Sequence, residues 1–220
     1  MKAVLCLLAI NIMLLAAVPA SAGDTEHWGE YGIQLKFSDR FSLKSDVQLR
    51  FRDGISDFYW YRFEAGPNFK LNDRINITVL GRIKPQQYGD EWRRQYNIFI
   101  DPVFKIAHNG TTTFDLRTRV QTKLTGEGWQ FLRLRPRLTH RFYLGELRCA
   151  WFLYNDFWLQ FSALGARDRY NVNWLGTGVK FGLKRPVDFS VYLQYRSDKL
   201  PATGRWDHDP VLGTRLRYRF

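Results

Sequence analysis

The sequence predicts an all-β protein, a single antiparallel up-and-down β-barrel of about ten to twelve strands. Three observations predict it. Apolar and polar residues alternate with a period of two along nearly the whole chain after Ala22, the pattern of strands with one apolar face. No apolar run in that region approaches the roughly 18 residues that a spanning helix needs. The face opposite the apolar one carries long rows of arginine, which need water or anionic partners. A sheet curled shut, with greasy side chains outside and guanidinium groups inside, meets both demands.

The first 22 residues read as a secretory signal. Lys2 opens a charged start, Ala3 to Val18 form an apolar run, and Pro19-Ala20-Ser21-Ala22 provides a small-residue exit. Cleavage is expected after Ala22, leaving residues 23–220 as one domain. Cys6 lies inside the apolar run, and no Leu-x-x-Cys stands at the cleavage point, so a lipoprotein is not expected. Removing Cys6 leaves Cys149 alone, which excludes an intrachain disulfide and makes Cys149 an apolar filler on a strand. Net charge is +12, or +11 without Lys2; aromatics make up 16% and mean hydropathy is −0.36. A soluble secreted protein shares those values, so the strand pattern decides.

Taken in order, Tyr31, Ile33, Leu35 and Phe37 alternate with Glu30, Gly32, Gln34 and Lys36 before a Ser38-Asp39-Arg40 turn. Phe41, Leu43, Val47, Leu49 and Phe51 then oppose Lys44, Asp46, Gln48, Arg50 and Arg52. Tyr59 to Leu71 and Ile75 to Lys84 form the next pair, joined at Asn72-Asp73-Arg74. Tyr96 to Ile106 leads into His108-Asn109-Gly110, where Asn-Gly carries hairpin chemistry. The second half repeats the pattern. Phe114 to Leu124 sets its apolar residues against Asp115, Arg117, Arg119, Gln121 and Lys123. Leu132 to Phe142 opposes Arg133, Arg135, Arg137 and Arg141. Leu147 to Leu153, Leu175 to Leu183 and Val187 to Tyr195 follow.

Pro67, Pro102 and Pro136 fall inside these strands. Proline cannot donate to a ladder, so bulges are expected at all three. Connections alternate in length. Short turns are expected at Ser38–Arg40, Asn72–Arg74, His108–Gly110, Tyr143–Glu146 and Lys184–Pro186. Longer loops are expected around Asp53–Asp57, Pro85–Glu91, Thr125–Gly128, Phe161–Arg169 and Ser197–His208. Bacterial barrels place the short set in the periplasm. About eleven segments result, with the first starting on the outer side. Single-chain bacterial barrels carry an even number, so twelve is the preferred count.

Arg50, Arg52, Arg62, Arg82, Arg117, Arg119, Arg133, Arg135, Arg137, Arg215, Arg217 and Arg219 all fall on the inward side. The facing acids are fewer: Glu30, Asp46, Glu64, Asp101, Asp115 and Asp188. Unpaired buried guanidiniums cost several kcal/mol each. The interior is therefore either wet and anion-favouring or filled by Arg–Asp/Glu–Tyr hydrogen bonds that only brace the wall. Some rim arginines would meet lipid phosphates.

The last strand, Val211 to Phe220, sets Leu212, Thr214, Leu216, Tyr218 and Phe220 against Gly213, Arg215, Arg217 and Arg219. Alternation ending on phenylalanine resembles the terminal strand of Gram-negative outer-membrane barrels. That resemblance makes Tyr218 and Phe220 an assembly signal read by the barrel-assembly machinery. Two clusters, Asp90-Glu91-Trp92-Arg93-Arg94 and Arg167-Asp168-Arg169-Tyr170-Asn171-Val172-Asn173, stand beside Trp28 and Leu49-Arg50-Phe51-Arg52. Together these resemble an uncharacterised family of bacterial outer-membrane β-barrels, a domain-of-unknown-function family. The resemblance implies a transmembrane barrel in the cell outer membrane, among lipid and lipopolysaccharide, and implies no activity.

Catalytic chemistry is sparse. Outside the signal the histidines are His27, His108, His140 and His208. Ser197, His208 and the aspartates Asp207 and Asp209 are the only conceivable hydrolytic set, and residue type alone supports it. Three consecutive residues at 207–209 converge poorly on a metal. No catalytic, metal or cofactor residue is expected. A signal peptide also removes nucleic acid as a partner, leaving small anions. Three readings stand: a structural barrel or narrow anion-preferring pore, an outer-membrane lipid acyl hydrolase or transferase, and a soluble periplasmic barrel or sandwich that binds a ligand.

Overall fold

A computed structural model describes residues 25–88, 91–124, 130–160, 170–183, 186–199 and 204–220. The expected signal segment lies outside the described residues, as do the Thr125–Gly128 and Phe161–Arg169 loops and part of Lys184–Pro186. Eleven strands run in sequence: β1 (Glu26–Lys36), β2 (Phe41–Arg52), β3 (Asp57–Lys70), β4 (Ile75–Tyr88), β5 (Glu91–His108) and β6 (Thr112–Lys123). They continue with β7 (Gln130–Leu144), β8 (Leu147–Gln160), β9 (Tyr170–Gly182), β10 (Val187–Lys199) and β11 (Trp206–Arg219). Each strand pairs antiparallel with the next, and β1 pairs with β11 to close the barrel.

The expectation of an even count fails at that seam. In a meander of eleven strands the first and last run the same way, so they can close only in parallel. Glu26 lies opposite Val211 and Gln34 opposite Arg219 in a parallel register. The chain's last residue completes the seam: the Phe220 amide donates to the Gln34 carbonyl at 2.9 Å, and the Phe220 carbonyl accepts from the Lys36 amide at 2.8 Å.

The prolines do not produce bulges. Pro67 pairs in register with Leu43, Pro102 with Ile77 and Pro136 with Leu116. On its other side each proline leaves a short gap in the pairing, after which the ladder resumes in the same register. A missing N–H deletes one bond on one side and inserts no residue, so the strand stays in step. The register shifts fall elsewhere, at Arg50/Phe51, Lys105/Ala107 and Trp158/Leu159. Two expected loops are also shorter than the polar sequence implied: β4 runs on through Pro85 to Tyr88, and Ser197–Lys199 and Trp206–His208 are paired strand.

Turn chemistry explains the short connections. The Asn72 side-chain oxygen accepts from the Arg74 and Ile75 amides at 2.8 and 2.9 Å, an Asx-turn that costs no extra residue. Asn109 does the same for Thr112 at 2.9 Å, beside Gly110 at φ +85°. Lys36–Asp39 and Lys70–Asp73 ion pairs, at 2.7 and 2.6 Å, repeat one device at two successive turns. In both turns the carboxyl is held below its ordinary value of 3.8, chiefly by that lysine hydrogen bond.

Burial inverts the usual inside-out order. Ile98, Ile100, Val120, Leu153, Leu175 and Leu193 are exposed on the outer wall, while Glu64, Asp101, Arg82, Arg119 and Arg133 are buried inside. Rings gather at the two ends of the outer wall. Phe37, Phe41 and Phe69 make contact at the turn end, with centroids 5.6 and 5.4 Å apart, and Tyr218 stacks on Phe220. Phe51, Phe58, Tyr61 and Trp92 form a chain at the loop end.

Inward glycines make room for inward rings. The Tyr192 ring lies against Gly213, the Phe152 ring tip reaches Gly178 and the Tyr154 ring covers Gly176, so closely that a Cβ at any of these positions would meet ring atoms. Rings laid on glycine patches thicken the wall where the backbone would otherwise be bare.

Candidate functional site

Within the lumen, four buried carboxylates organise most of the arginines. Asp156, fully buried, accepts bidentate bonds from both Arg133 and Arg135, at 2.5–2.8 Å. Asp101 takes the Arg117 fork and the Arg119 tip, the latter at 2.8 Å. Glu64 accepts from the Arg82 Nε at 2.7 Å, and its ion pairs include a second Arg82 contact at 2.5 Å, Arg62 at 3.3 Å and Arg119 at 3.9 Å. Glu30 accepts from the Arg215 Nε at 2.8 Å, the Tyr192 hydroxyl at 2.7 Å and the Gln48 amide at 3.0 Å. Nearer the turn end, Arg217 meets Asp46 at 3.4 Å and Arg219 meets Asp188 at 2.9 Å.

Arginine planes also sit on rings. Arg50 lies between the indoles of Trp28 and Trp60, 3.7 and 3.9 Å from their centroids. Arg119 covers Phe99 at 4.0 Å, Arg135 covers Tyr154 at 4.5 Å, Arg133 covers Trp158 at 4.9 Å and Arg137 covers Phe152 at 5.5 Å. Such contacts are worth about 0.5–2 kcal/mol each. They let a barrel carry more guanidinium groups than carboxylates.

Among the described residues, a central and a loop-side chamber lie between these groups. The central one, about 210 Å³, is bounded by Arg117, Arg119, Arg135, Arg137, Arg215, Arg217 and Arg219 together with Glu30, Asp46, Tyr154 and Tyr192. The loop-side one, about 300 Å³, is bounded by Arg50, Arg82, Lys84, Arg196, Glu26, Asp198 and the rings of Tyr59, Trp60 and Trp158. Arg62, Arg133 and Trp174 border both and form the partition between them. Of the arginines named from the sequence, two lie outside: Arg52 is half exposed at the loop rim, paired with Asp57, and Arg141, on the polar face of β7 by strand parity, is exposed near the turn end.

Asp156, Glu26 and the inward rings do not stand out from residue order, and Arg196 does so only as a polar-face residue of its strand. Arg196 is the hub of the loop end, 2.8 Å from Glu26, 3.0 Å from Asp198 and 3.2 Å from Asp209. The signal for Asp156 was available: Arg133 and Arg135 share a face two residues apart and need a common counter-charge on a neighbouring strand. Rings on both faces of β8 hid it, because Phe152 and Tyr154 point in while Trp151 and Leu153 point out.

Ser197 and His208 are cross-strand partners. The Ser197 hydroxyl lies 2.9 Å from His208 Nδ1, and the imidazole stacks on Tyr195 at 5.4 Å. Strand parity turns Asp207 and Asp209 to the opposite side, where Asp209 pairs with Arg196. Among the described residues the set is a serine–histidine pair with no carboxylate on the ring. Among the described residues no group of three or more His, Cys, Asp or Glu is placed to hold a metal.

Residues 25–208 match a family model described as a protein of unknown function, DUF2490. The chain belongs to the DUF2490 family. The match spans the barrel from β1 into the start of β11 and stops short of the Arg215–Arg219 row. No curated protein matches this DUF2490 barrel. Its lumen, not any recognised catalytic motif, is the feature from which function must be argued.

Proposed function

We propose that this chain is an outer-membrane β-barrel whose arginine-rich lumen makes it a narrow, anion-preferring pore. The supporting observation is the segregation of side chains: an exposed aliphatic band with rings at both its ends, around an interior of ions. An apolar outer band flanked by aromatic girdles is what a bilayer demands of a barrel. The short turns then face the periplasm, and the Tyr218–Phe220 end serves as the assembly signal. Lipid and lipopolysaccharide surround the outer wall.

Narrowness follows from the partition. Arg62, Arg133 and Trp174 separate two small chambers, so a solute crossing the lumen must pass guanidinium groups in single file. Cations are repelled there, and small anions are favoured.

Two measurements test the reading. Fractionation should recover the protein in the outer membrane, in a form that migrates differently on gels before and after heating; a freely soluble periplasmic species would establish the ligand-binding alternative instead. Planar-bilayer recordings should give small currents with reversal potentials favouring anions. Absent or cation-selective current would reduce the lumen to a brace.

A second reading has one observation behind it, the Ser197–His208 contact at the loop end. A lipid acyl hydrolase or transferase could use Ser197 as nucleophile and His208 as base. His208→Ala with an unchanged lipid profile would remove it.

A further inference from the structure

We infer that the loop-side chamber is a binding site for a small solute bearing a phosphate or carboxylate group, held by Arg50, Arg62 and Lys84. The inference deepens the anion-favouring reading of the lumen and rests on its wet interior.

A census of donors and acceptors carries it. Both acids on the chamber wall are already claimed. Glu26 accepts from Arg196 at 2.8 Å and from the Trp28 indole at 2.6 Å. Asp198 is ion-paired with Arg196 at 3.0 Å and accepts from the Trp174 indole at 2.8 Å. Arg82 and Arg133 are spent on Glu64 and Asp156.

The remaining donors have little or nothing. Arg50 bonds only the Gln48 side-chain oxygen, at 3.2 Å, and has no carboxylate partner among the described residues. The two indoles occupy its faces, so its unspent N–H groups lie along its edge. Arg62 shares Glu64, which Arg82 holds more closely, and its Nε is buried without an acceptor. Lys84 has no hydrogen-bond or ion-pair partner among the described residues while lining the same chamber. The Trp158 indole N–H is buried on that wall, also without an acceptor.

Two cations without a carboxylate partner, a third that only shares one, and an orphan N–H around one space call for a ligand that only accepts and carries negative charge. Water satisfies the donors and leaves the charge. An oxyanion satisfies both, since each of its oxygens takes charge-assisted bonds from guanidinium and ammonium donors. The chamber, at about 300 Å³, falls at the small end of ordinary ligand pockets. That is room for a polyatomic anion with a compact body.

The test uses the mature chain refolded in nonionic detergent, with tryptophan fluorescence as readout, because Trp60, Trp158 and Trp174 line the chamber. Inorganic phosphate and succinate are titrated against chloride at matched ionic strength. The expected result is a saturable change with phosphate, succinate or both, absent with chloride. Lys84→Gln should weaken it about tenfold or more, the loss of one charge-assisted bond. Arg50→Lys should weaken it similarly, and Lys70→Gln at a distant turn should leave it unchanged. Each variant is scored only in its heat-modifiable, folded form. A response no different from chloride, or Lys84→Gln and Arg50→Lys binding like wild type, overturns the site. Bilayer currents on the same preparations keep the two ideas apart. Anion current without saturable binding overturns the site and leaves the pore; saturable binding without current supports the site and ends the pore.

Discussion

Replacing Asp156 with leucine should destabilise the barrel more than any other single substitution in the lumen. Asp156 is wholly buried, and both of its oxygens accept from both Arg133 and Arg135. Those guanidiniums are themselves 6% and 13% exposed. Removing the shared carboxylate leaves two like charges side by side with no counter-ion. Breaking a buried pair in this way costs about 3–5 kcal/mol. The Trp158 and Tyr154 rings still face the two arginines, and Arg135 lines the central chamber, so the low end of that range is expected. Urea unfolding of the refolded protein reads it directly. With a slope of about 3 kcal/mol/M, a 3 kcal/mol loss lowers the midpoint by about 1 M.

The decisive control is the triple variant Arg133→Met, Arg135→Met, Asp156→Leu. Exchanging a whole buried ion cluster for apolar side chains is often neutral or stabilising, so the triple variant should recover most of the midpoint that the single one loses. A single variant within about 1 kcal/mol of wild type would refute the claim that the triad is electrostatically closed. A triple variant as damaged as the single one would refute the claim that uncompensated charge, and not lost packing, causes the damage.

Three further outcomes are expected. Asp39 and Asp73 should titrate below 3.8 by carboxyl NMR; because their folded values are depressed, the Lys36 and Lys70 contacts are present at neutral pH and are lost only as pH falls through those depressed values. Both pairs are open to solvent, so salt should shrink the shift, and Lys36→Gln should return Asp39 to its ordinary value. Gly213→Ala should push the Tyr192 ring off the wall and destabilise the barrel by about 1–3 kcal/mol, seen as a lower urea midpoint. Deleting Phe220 removes the two seam hydrogen bonds to Gln34 and Lys36 as well as the aromatic end, so the heat-modifiable fraction recovered from cells should fall; unchanged recovery would deny the seam that role.

The strands were legible because their period is simple, and a one-residue slip would bury every arginine in the outer wall. The inward set followed from the same parity, which is why Arg117, Arg119, Arg133, Arg135 and Arg137 can be named from residue order alone. Parity says nothing about partners across the closing seam: Arg215 on β11 lies beside Glu30 on β1, 185 residues earlier in the chain. Nor does it separate rings on the outer wall from rings that face ions. Trp28, Trp60 and Tyr192 look like outer-wall residues by type and are buried inside. Their partners are glycines and arginines on neighbouring strands, and only the register brings these together.

The parallel seam carries its own consequence for how the ends of the chain are disposed. β1 and β11 run the same way, so the start of β1 lies at the loop end while Phe220 lies at the turn end. In a barrel with an even number of strands both termini share a side; here the Thr25 end and the Asp39 and Asp73 turns lie at opposite ends of the strands. With Cys149 changed to serine as background, Thr25→Cys in whole Gram-negative cells should react with a membrane-impermeant maleimide. Asp73→Cys should react only after the outer membrane is opened. Labelling of both sites in intact cells would require an even strand count and would break the β1–β11 pairing. The reverse pattern would keep the seam and place the long loops in the periplasm. Protection of both sites until the envelope is opened would deny that the loop end faces the outside at all.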